Sequence, residues 1–429
     1  MALATEHNQY NNEAPVAHAL RIVKWCPLWP ALLLITLFVP TELSFTIGSL
    51  RITPYRVVLL LAFIPGIMKL LSDRAHVLNS IDFFIALHLL WGFVVFWHHH
   101  GGDTAIESGG IRMLEMGGGY LVARVYIINE RGFRGFIAIL SLLLVVLVPF
   151  VIFESISGTF PIKTVSALIA GSEPYTGMDP RHGFYRALGP FDHPILLGVF
   201  AASAVSLLWM GAPRTLGQPR FRNLPALAAV AAALSSVSTG ALAALAVQLV
   251  LLSWEMRTRH VSHRWLLLFI LFVTFYFTID TVSNRSGIRV FFDYLAFNAQ
   301  TANYRIAIYE SGLVNIQSNP VFGIGFNDWV RPVWMYSNSI DNFWLLTAMV
   351  FGIPGFVTFV LPFLIITASG WRGIPSRHRK LRLGWAISLV SFLVAGCTVH
   401  FWNNLFVYLF FFLGAGVWFL KADRKDLQT

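Results

Sequence analysis

The sequence predicts an all-α, polytopic membrane protein of about twelve transmembrane helices with two long loops on one face. Three observations predict it. Hydrophobic residues make up 56% of the 429 and charged residues only 12%, whereas a soluble domain carries about 25% charged residues. Apolar stretches of roughly 20 residues, the length that crosses a bilayer, recur along the whole chain. The segments between them alternate between basic and non-basic, as the positive-inside rule requires.

Spans are expected to start near Pro27, Thr53, Ser80, Arg112, Phe133, Phe191, Leu224, Gly240, Arg264, Ser339, Leu383 and Asn404. The tight pair Leu224 to Met256, joined at Ser238-Thr239-Gly240, is the hardest to divide. The first apolar stretch lacks a small-residue cleavage site and reads as a retained span. With the N-terminus in the cytoplasm, every inner segment is basic: Arg21 and Lys24; Lys69 and Arg74; Arg131 and Arg134; Arg214, Arg220 and Arg222; Arg257, Arg259 and Arg264; Arg372, Arg377, Arg379, Lys380 and Arg382; Lys421, Arg424 and Lys425. These are 20 of the 31 basic residues, so both termini are expected inside. The net charge of +10 is then a topology signal and not a nucleic-acid surface. Cys26 and Cys397 read as two small buried hydrophobes.

Residues 1–429 form one integral membrane domain on this reading. Two outer loops exceed the rest, 154–190 and 283–338, and loops of that length without a span are commonly functional. In the second, Tyr304, Ile308, Gly312 and Ile316 recur at spacings of four, which predicts an amphipathic helix on the membrane face.

Both loops carry arginines that topology does not call for. Arg181 and Arg186 flank His182 and Tyr185 in RHGFYRALGPFDHP, and Arg305 follows Tyr304. A guanidinium fork grips phosphate oxygens in bidentate fashion, so two such residues on different loops can clamp a pyrophosphate. The plainer alternative is a lipid head-group contact, or pairing with Glu154, Asp179, Asp192 or Glu310. Asp341 and Asn342 stand where the second loop enters a span. A carboxylate there can act as general base, or Ser339 or Asp341 can cap the helix. Arg112 and Glu115, three apart, read as an ion pair at membrane depth, where ionisable groups are functional candidates. Gly117, Gly118 and Gly119 beside them read as close-packing positions. Arg51 and Arg56 read as snorkelling residues. The run His98-His99-His100 lacks regular ligand spacing and reads as an exposed loop, while His193 lies beside the Arg186 segment. No phosphate-cradling glycine loop or Asp-x-Asp metal signature is present, which argues for a lipid-borne donor.

Taken in order, RALGPFDHPILLG, LSSVSTGALAALAV, YRIAIYESGLVNIQSNPVFGIGFNDW and SIDNFWLLTAMVFGIPG resemble the O-antigen ligase and O-antigen polymerase superfamily of bacterial inner-membrane proteins. The similarity spans residues 186–355. It implies a type C glycosyltransferase-like fold, an active site facing the periplasm, undecaprenyl-pyrophosphate-linked glycan donors, and no metal or other cofactor. Ligases pass the glycan to lipid A-core; polymerases pass it to another lipid-linked repeat unit. The resemblance implies that Arg186 and Arg305 engage the pyrophosphate. Ligases carry a His where this chain has Asp341, which favours a polymerase of an O-antigen, capsule or exopolysaccharide. Asp341, Arg305 and Arg186 are then the catalytic candidates, and Arg181, His193, Tyr304, Asn342 and Arg112 the substrate-binding ones. A ligase and a flippase of the same lipid-linked glycan are the alternatives. The absence of an internal repeat speaks against the flippase.

Overall fold

The computed structural model describes residues 23–73, 76–173, 175–212, 223–282, 289–290, 299–369, 371 and 375–420. Of the basic residues used above for orientation, Arg21, Arg74, Arg214, Arg220, Arg222, Arg372, Lys421, Arg424 and Lys425 lie outside that set, as does part of the second long loop.

The chain is almost entirely helical. Helix α1 (Leu28–Leu37) leads through a short hairpin, β1 (Phe45–Ile47) with β2 (Leu50–Ile52), into α2 (Pro54–Ser72). A continuous run follows: α3 (Ser80–Arg112), a π-helical turn (Met113–Gly118) and α4 (Gly119–Tyr126). Next come α5 (Glu130–Ser157), α6 (Pro161–Ala170), α7 (Pro194–Gly211), α8 (Leu224–Ser235), α9 (Thr239–Thr258) and α10 (Arg264–Val282). The last four are α11 (Ala299–Ser318), α12 (Phe343–Ala368), α13 (Ser376–Gly396) and α14 (Asn403–Gly416). Asn79 and Asn129 cap the starts of α3 and α5 with their side chains, as short polar residues before an apolar run do.

Seven of the described runs are long and apolar enough to cross a bilayer: α2, the run 80–126, α5, α7, α9, α10 and α12. That is fewer than the twelve expected. Three of the expected spans are short helices: α1, α8 and α14 have 10, 12 and 14 residues, about 15–21 Å against a hydrocarbon core of about 30 Å. The division at Ser236–Ser238 holds, since α8 and α9 are separate helices. α7 is the innermost element, packed against α8, α9 and α13. α10 buries none of its residues in the chain, so its apolar surface is left for lipid.

Two glycine corners shape the rest. In α3, Gly101 has φ +80°, and the chain folds back there. His88 and Arg112, 24 residues apart, are separated by about 36 Å on a straight helix, yet their side chains meet at 3.3 Å. The two spans expected from Ser80 and Arg112 are thus the arms of one helical hairpin. Further down, Arg124 grips Asp82 with two contacts of 2.9 Å. In α12, Gly352 has φ +68°; Phe343 and Phe359, about 24 Å apart on a straight helix, bring their rings to 5.5 Å. The segment after α11 seals that corner: Ile324 N–H donates to Met349 O at 2.8 Å, and Ile353 N–H to Pro320 O at 2.8 Å. Only a residue without Cβ fits at 352, because a Cβ there would run into the Val321 carbonyl and the left-handed φ is itself costly for other residues.

The expected helix of the second loop is present as α11. The loop around it has a small core of its own, with Ile308, Trp329, Met335, Ile340, Leu345 and Met349. The histidine run does not form a free loop. It ends the first arm of the α3 hairpin, where His98 stacks on Phe322 at 4.4 Å and His100 Nε2 accepts from Phe326 N–H at 2.8 Å. Gly119 is a close-packing position as expected: a Cβ there would sit 2.9 Å from Val407 O.

Gly352→Ala is expected to lower stability by roughly 1–3 kcal/mol, the cost of a strained backbone position, plus the clash with Val321. Gly110→Ala, in open helical space, should leave the melting temperature unchanged or raise it. Thermal unfolding of the two variants in detergent checks the corner.

Candidate functional site

Five of the residues singled out in the sequence line one cavity of about 560 Å³: Arg181, Arg186, His193, Arg305 and Asp341. They come from the segment before α7, from α11 and from the loop into α12. Ser238, Thr239, Ser339, His400 and Trp402 complete much of its wall.

Arg186 is held by the backbone on both sides of it. Tyr185 N–H donates to Ser155 O and Ala187 N–H to Ser235 O, each at 3.0 Å, so the ends of α5 and α8 grip its neighbours. The Glu154 carboxylate accepts from Leu188 N–H at 3.0 Å and Gly189 N–H at 2.8 Å. Ahead of it, Arg181 and Phe184 form a one-bridge hairpin turned by His182 at φ +52° and Gly183 at φ +83°, the left-handed pair that a tight hairpin requires. The Arg186 guanidinium is buried, touches Met178 Sδ at 3.5 Å, and has no carboxylate partner among the described residues. Burial first, and then the neighbouring Arg181 charge, press it down to about 10, so it stays charged at neutral pH.

His193 caps α7, its Nδ1 accepting from Ile195 N–H at 3.1 Å. That leaves the proton of the neutral ring on Nε2. Burial, with Arg186 and Arg181 adding to it, lowers His193 to about 4. Arg305 is buried on α11 and donates to Thr239 Oγ1 at 3.4 Å. Burial lowers it, the Asp341 charge opposes that, and Arg181 adds to it. Asp341 is raised above the ordinary carboxylate value by burial, which outweighs Arg305 and the Ser339 hydroxyl 3.5 Å away. Among the lining residues, three arginines face one carboxylate. The cavity is therefore suited to a multiply charged anion, with a carboxylate beside it that ionises late.

The other sequence candidates lie elsewhere. Tyr304 packs on Trp334 at 6.0 Å and is not among the lining residues. Asn342, and not Ser339 or Asp341, caps α12, accepting from Leu345 N–H at 3.0 Å. Arg112 borders a neighbouring cavity. It does not pair with Glu115: the π-helical turn swings that carboxylate to Arg56 at 2.8 Å and Tyr55 at 3.0 Å. Arg56 accordingly is half-buried against a counter-ion and does not snorkel.

His400 and Trp402 escaped the sequence reading. They stand in HFWNN between α13 and α14, and their rings stack at 5.8 Å. His193 lies 5.8 Å from the same Trp402. His400 is lowered to about 4, chiefly by burial and then by Arg112. The available signal was a histidine among aromatics and amides at a break between two apolar runs.

Residues 224–360 match the model of a protein family described as O-antigen ligase. That match supports an O-antigen ligase-like character for this segment of the chain. The matched segment contains Thr239, Arg305 and Asp341 and supplies five of the thirteen lining residues, while Arg186 and His400 join it from either side. No curated protein matches the chain.

Two outcomes follow from this geometry. Glu154→Ala leaves two buried N–H groups unpaired and should cost roughly 1–3 kcal/mol, with activity falling further than stability because Arg186 is released; Glu154→Gln, which keeps an acceptor, should be milder in both unfolding and turnover assays. His193 and His400 are neutral in the fold well below the ordinary histidine value of about 6.5, so the unfolded chain binds more protons in between. Stability is then full above about pH 6.5 and declines toward about pH 4, and His400→Gln should flatten that decline in melting curves.

Proposed function

We propose that the protein is a membrane glycosyltransferase that polymerises lipid-pyrophosphate-linked oligosaccharide repeat units of an O-antigen, capsule or exopolysaccharide, working on the periplasmic face of the bacterial inner membrane. The observation that carries this reading is the meeting of Arg186, Arg305 and Asp341 in one cavity. The match of residues 224–360 to the O-antigen ligase family model supports a lipid-linked glycan substrate.

The chemistry is an inverting transfer. An acceptor hydroxyl oxygen attacks the anomeric carbon of the donor sugar, and the bond from that carbon to the pyrophosphate oxygen breaks. Arg186 and Arg305, with Arg181 close by, meet the charge as it develops on the leaving pyrophosphate. Donors fixed in advance at that position lower the barrier most. Asp341 takes the proton of the acceptor hydroxyl. Burial raises it above the ordinary carboxylate value, which makes it a stronger base than an exposed carboxylate. Neutral His193 offers an Nε2–H donor toward the sugars. Arg305 serves both partners, since its charge keeps Asp341 from rising further.

A ligase acting on lipid A-core is the second reading. It is favoured by the description of the matching family and by His400, which brings an imidazole into the cavity although position 341 is an Asp.

The test is a glycan profile of cells lacking the gene, complemented with wild type, Arg305→Ala or Asp341→Ala. Single repeat units on the surface or on lipid, without long chains, mean polymerase. Long lipid-linked chains that never reach lipid A-core mean ligase and sink the polymerase reading. Repeat units trapped on the inner side mean a flippase and sink both. In vitro, turnover should fall on the acid side with a midpoint above the usual carboxylate value of about 3.9, because protonation removes the base; Asp341→Asn should abolish that limb along with most activity.

A further inference from the structure

Behind the His400–Trp402 pair lies a second cavity of about 380 Å³. Phe343, Phe351 and Phe406 give it an aromatic wall, Ser108 and Thr347 add hydroxyls, and Arg112 borders it. His400 and Trp402 line both cavities, so one aromatic partition separates the second from the catalytic one.

Arg112 is the unusual member. Its guanidinium lies over Phe351 at 4.3 Å, Phe406 at 5.5 Å and Phe359 at 5.8 Å. One nitrogen, Nη2, reaches His88 Nε2 at 3.3 Å. His88 Nδ1 lies 3.0 Å from Gly355 O and donates to it, so Nε2 is the acceptor and His88 supplies no charge. Arg112 Nε is buried without a hydrogen-bond partner among the described residues. The carboxylate of Glu115 also lines this cavity, but its direct ion pair is with Arg56, at 2.8 Å. Two other buried cations each have a carboxylate in direct contact, Arg124 with Asp82 and Lys163 with Glu42. Aromatic faces recover part of what desolvation costs a cation, and an arginine at membrane depth whose nearby carboxylate is shared with a second arginine marks a site that can take a further anion.

We infer that this second cavity is an acceptor-side subsite in which Arg112 binds an oxyanion carried by the second substrate. The chemistry is shared by the carboxylate of an acidic sugar and the phosphate of a second lipid carrier. Either has an apolar or sugar-ring body for the phenylalanine wall and one charge for the guanidinium. The partition then sets the reach between that charge and the hydroxyl presented to Asp341. The inference rests on the reading of the catalytic cavity as a two-substrate transferase site.

The test is a binding measurement that needs no turnover. Full-length protein carrying Arg186→Ala and Arg305→Ala, which clears the catalytic cavity of its main cations, is placed in nanodiscs. It is titrated with glucuronate against glucose and with polyprenyl monophosphate against polyprenol, read by tryptophan fluorescence. One anionic probe should bind at least tenfold more tightly than its neutral counterpart; glucuronate identifies a sugar carboxylate and the polyprenyl phosphate a lipid phosphate. Adding Arg112→Gln should erase the preference, while Arg112→Lys should retain much of it, which separates loss of charge from loss of fold. Equal affinity for anionic and neutral probes, or a preference that survives Arg112→Gln, overturns the inference. A glycan profile that contradicts the transferase reading leaves this binding result intact, so the two failures are distinguishable.

Discussion

One carboxylate ties the Arg186 loop to the helical bundle. Glu154, near the end of α5, accepts both backbone N–H groups that follow Arg186 and its alanine neighbour, and the residues flanking Arg186 bond to the ends of two helices. The arginine is positioned by its backbone, so its guanidinium needs no internal counter-ion to hold it in place. That sets it apart from Arg124, Arg56 and Lys163, whose charges are cancelled within the chain. A cation that is fixed, buried and not neutralised is stabilised most by an anion arriving from outside.

The site also depends on where helices stop. α8 and α9 break at Ser236–Ser238, α13 and α14 at 397–402, and α12 turns back at Gly352. Each interruption brings irregular backbone inside the protein, where its polar groups are satisfied by neighbouring chain and not by lipid. Ser238, Thr239, His400 and Trp402 stand at the first two of these breaks, and Asp341 stands in the loop just ahead of α12. A bundle of uninterrupted spans would have put only side-chain stripes into the interior. Broken helices put helix starts, hydroxyls and loop carboxylates there together.

In the proposed transfer the electrostatics divide the work. The arginine surplus favours the pyrophosphate, most of all as it leaves. Asp341 keeps a raised value because burial prevails over one nearby arginine. The two histidines, pressed toward about 4, remain neutral hydrogen-bonding groups and add no charge that would compete with the arginines for the anion.

Hydropathy and charge are properties of short stretches of chain, and what depends on them was legible in the sequence: the helical membrane class, α11, the two chemistry-bearing loops, and Arg181, Arg186, His193, Arg305 and Asp341 as candidates. Side-chain direction is not local in the same way. Tyr304 and Arg305 are neighbours about 100° apart on a helix, so only one of them faces the cavity. Arg112 and Glu115 have the spacing of an ion pair on an α-helix, but a π-helical turn begins between them and sends Glu115 to Arg56. Spans counted by length anticipated the turn between Ser80 and Arg112 but missed the fold-back at Gly352, because a single left-handed glycine reverses a helix without changing its hydropathy. His400 and Trp402 were hidden in a brief pause between apolar runs. The sequence by itself determined which residues carry charge and which can enter lipid; the tertiary structure decided which of them meet, because two glycine corners and a handful of long-range backbone hydrogen bonds set those distances.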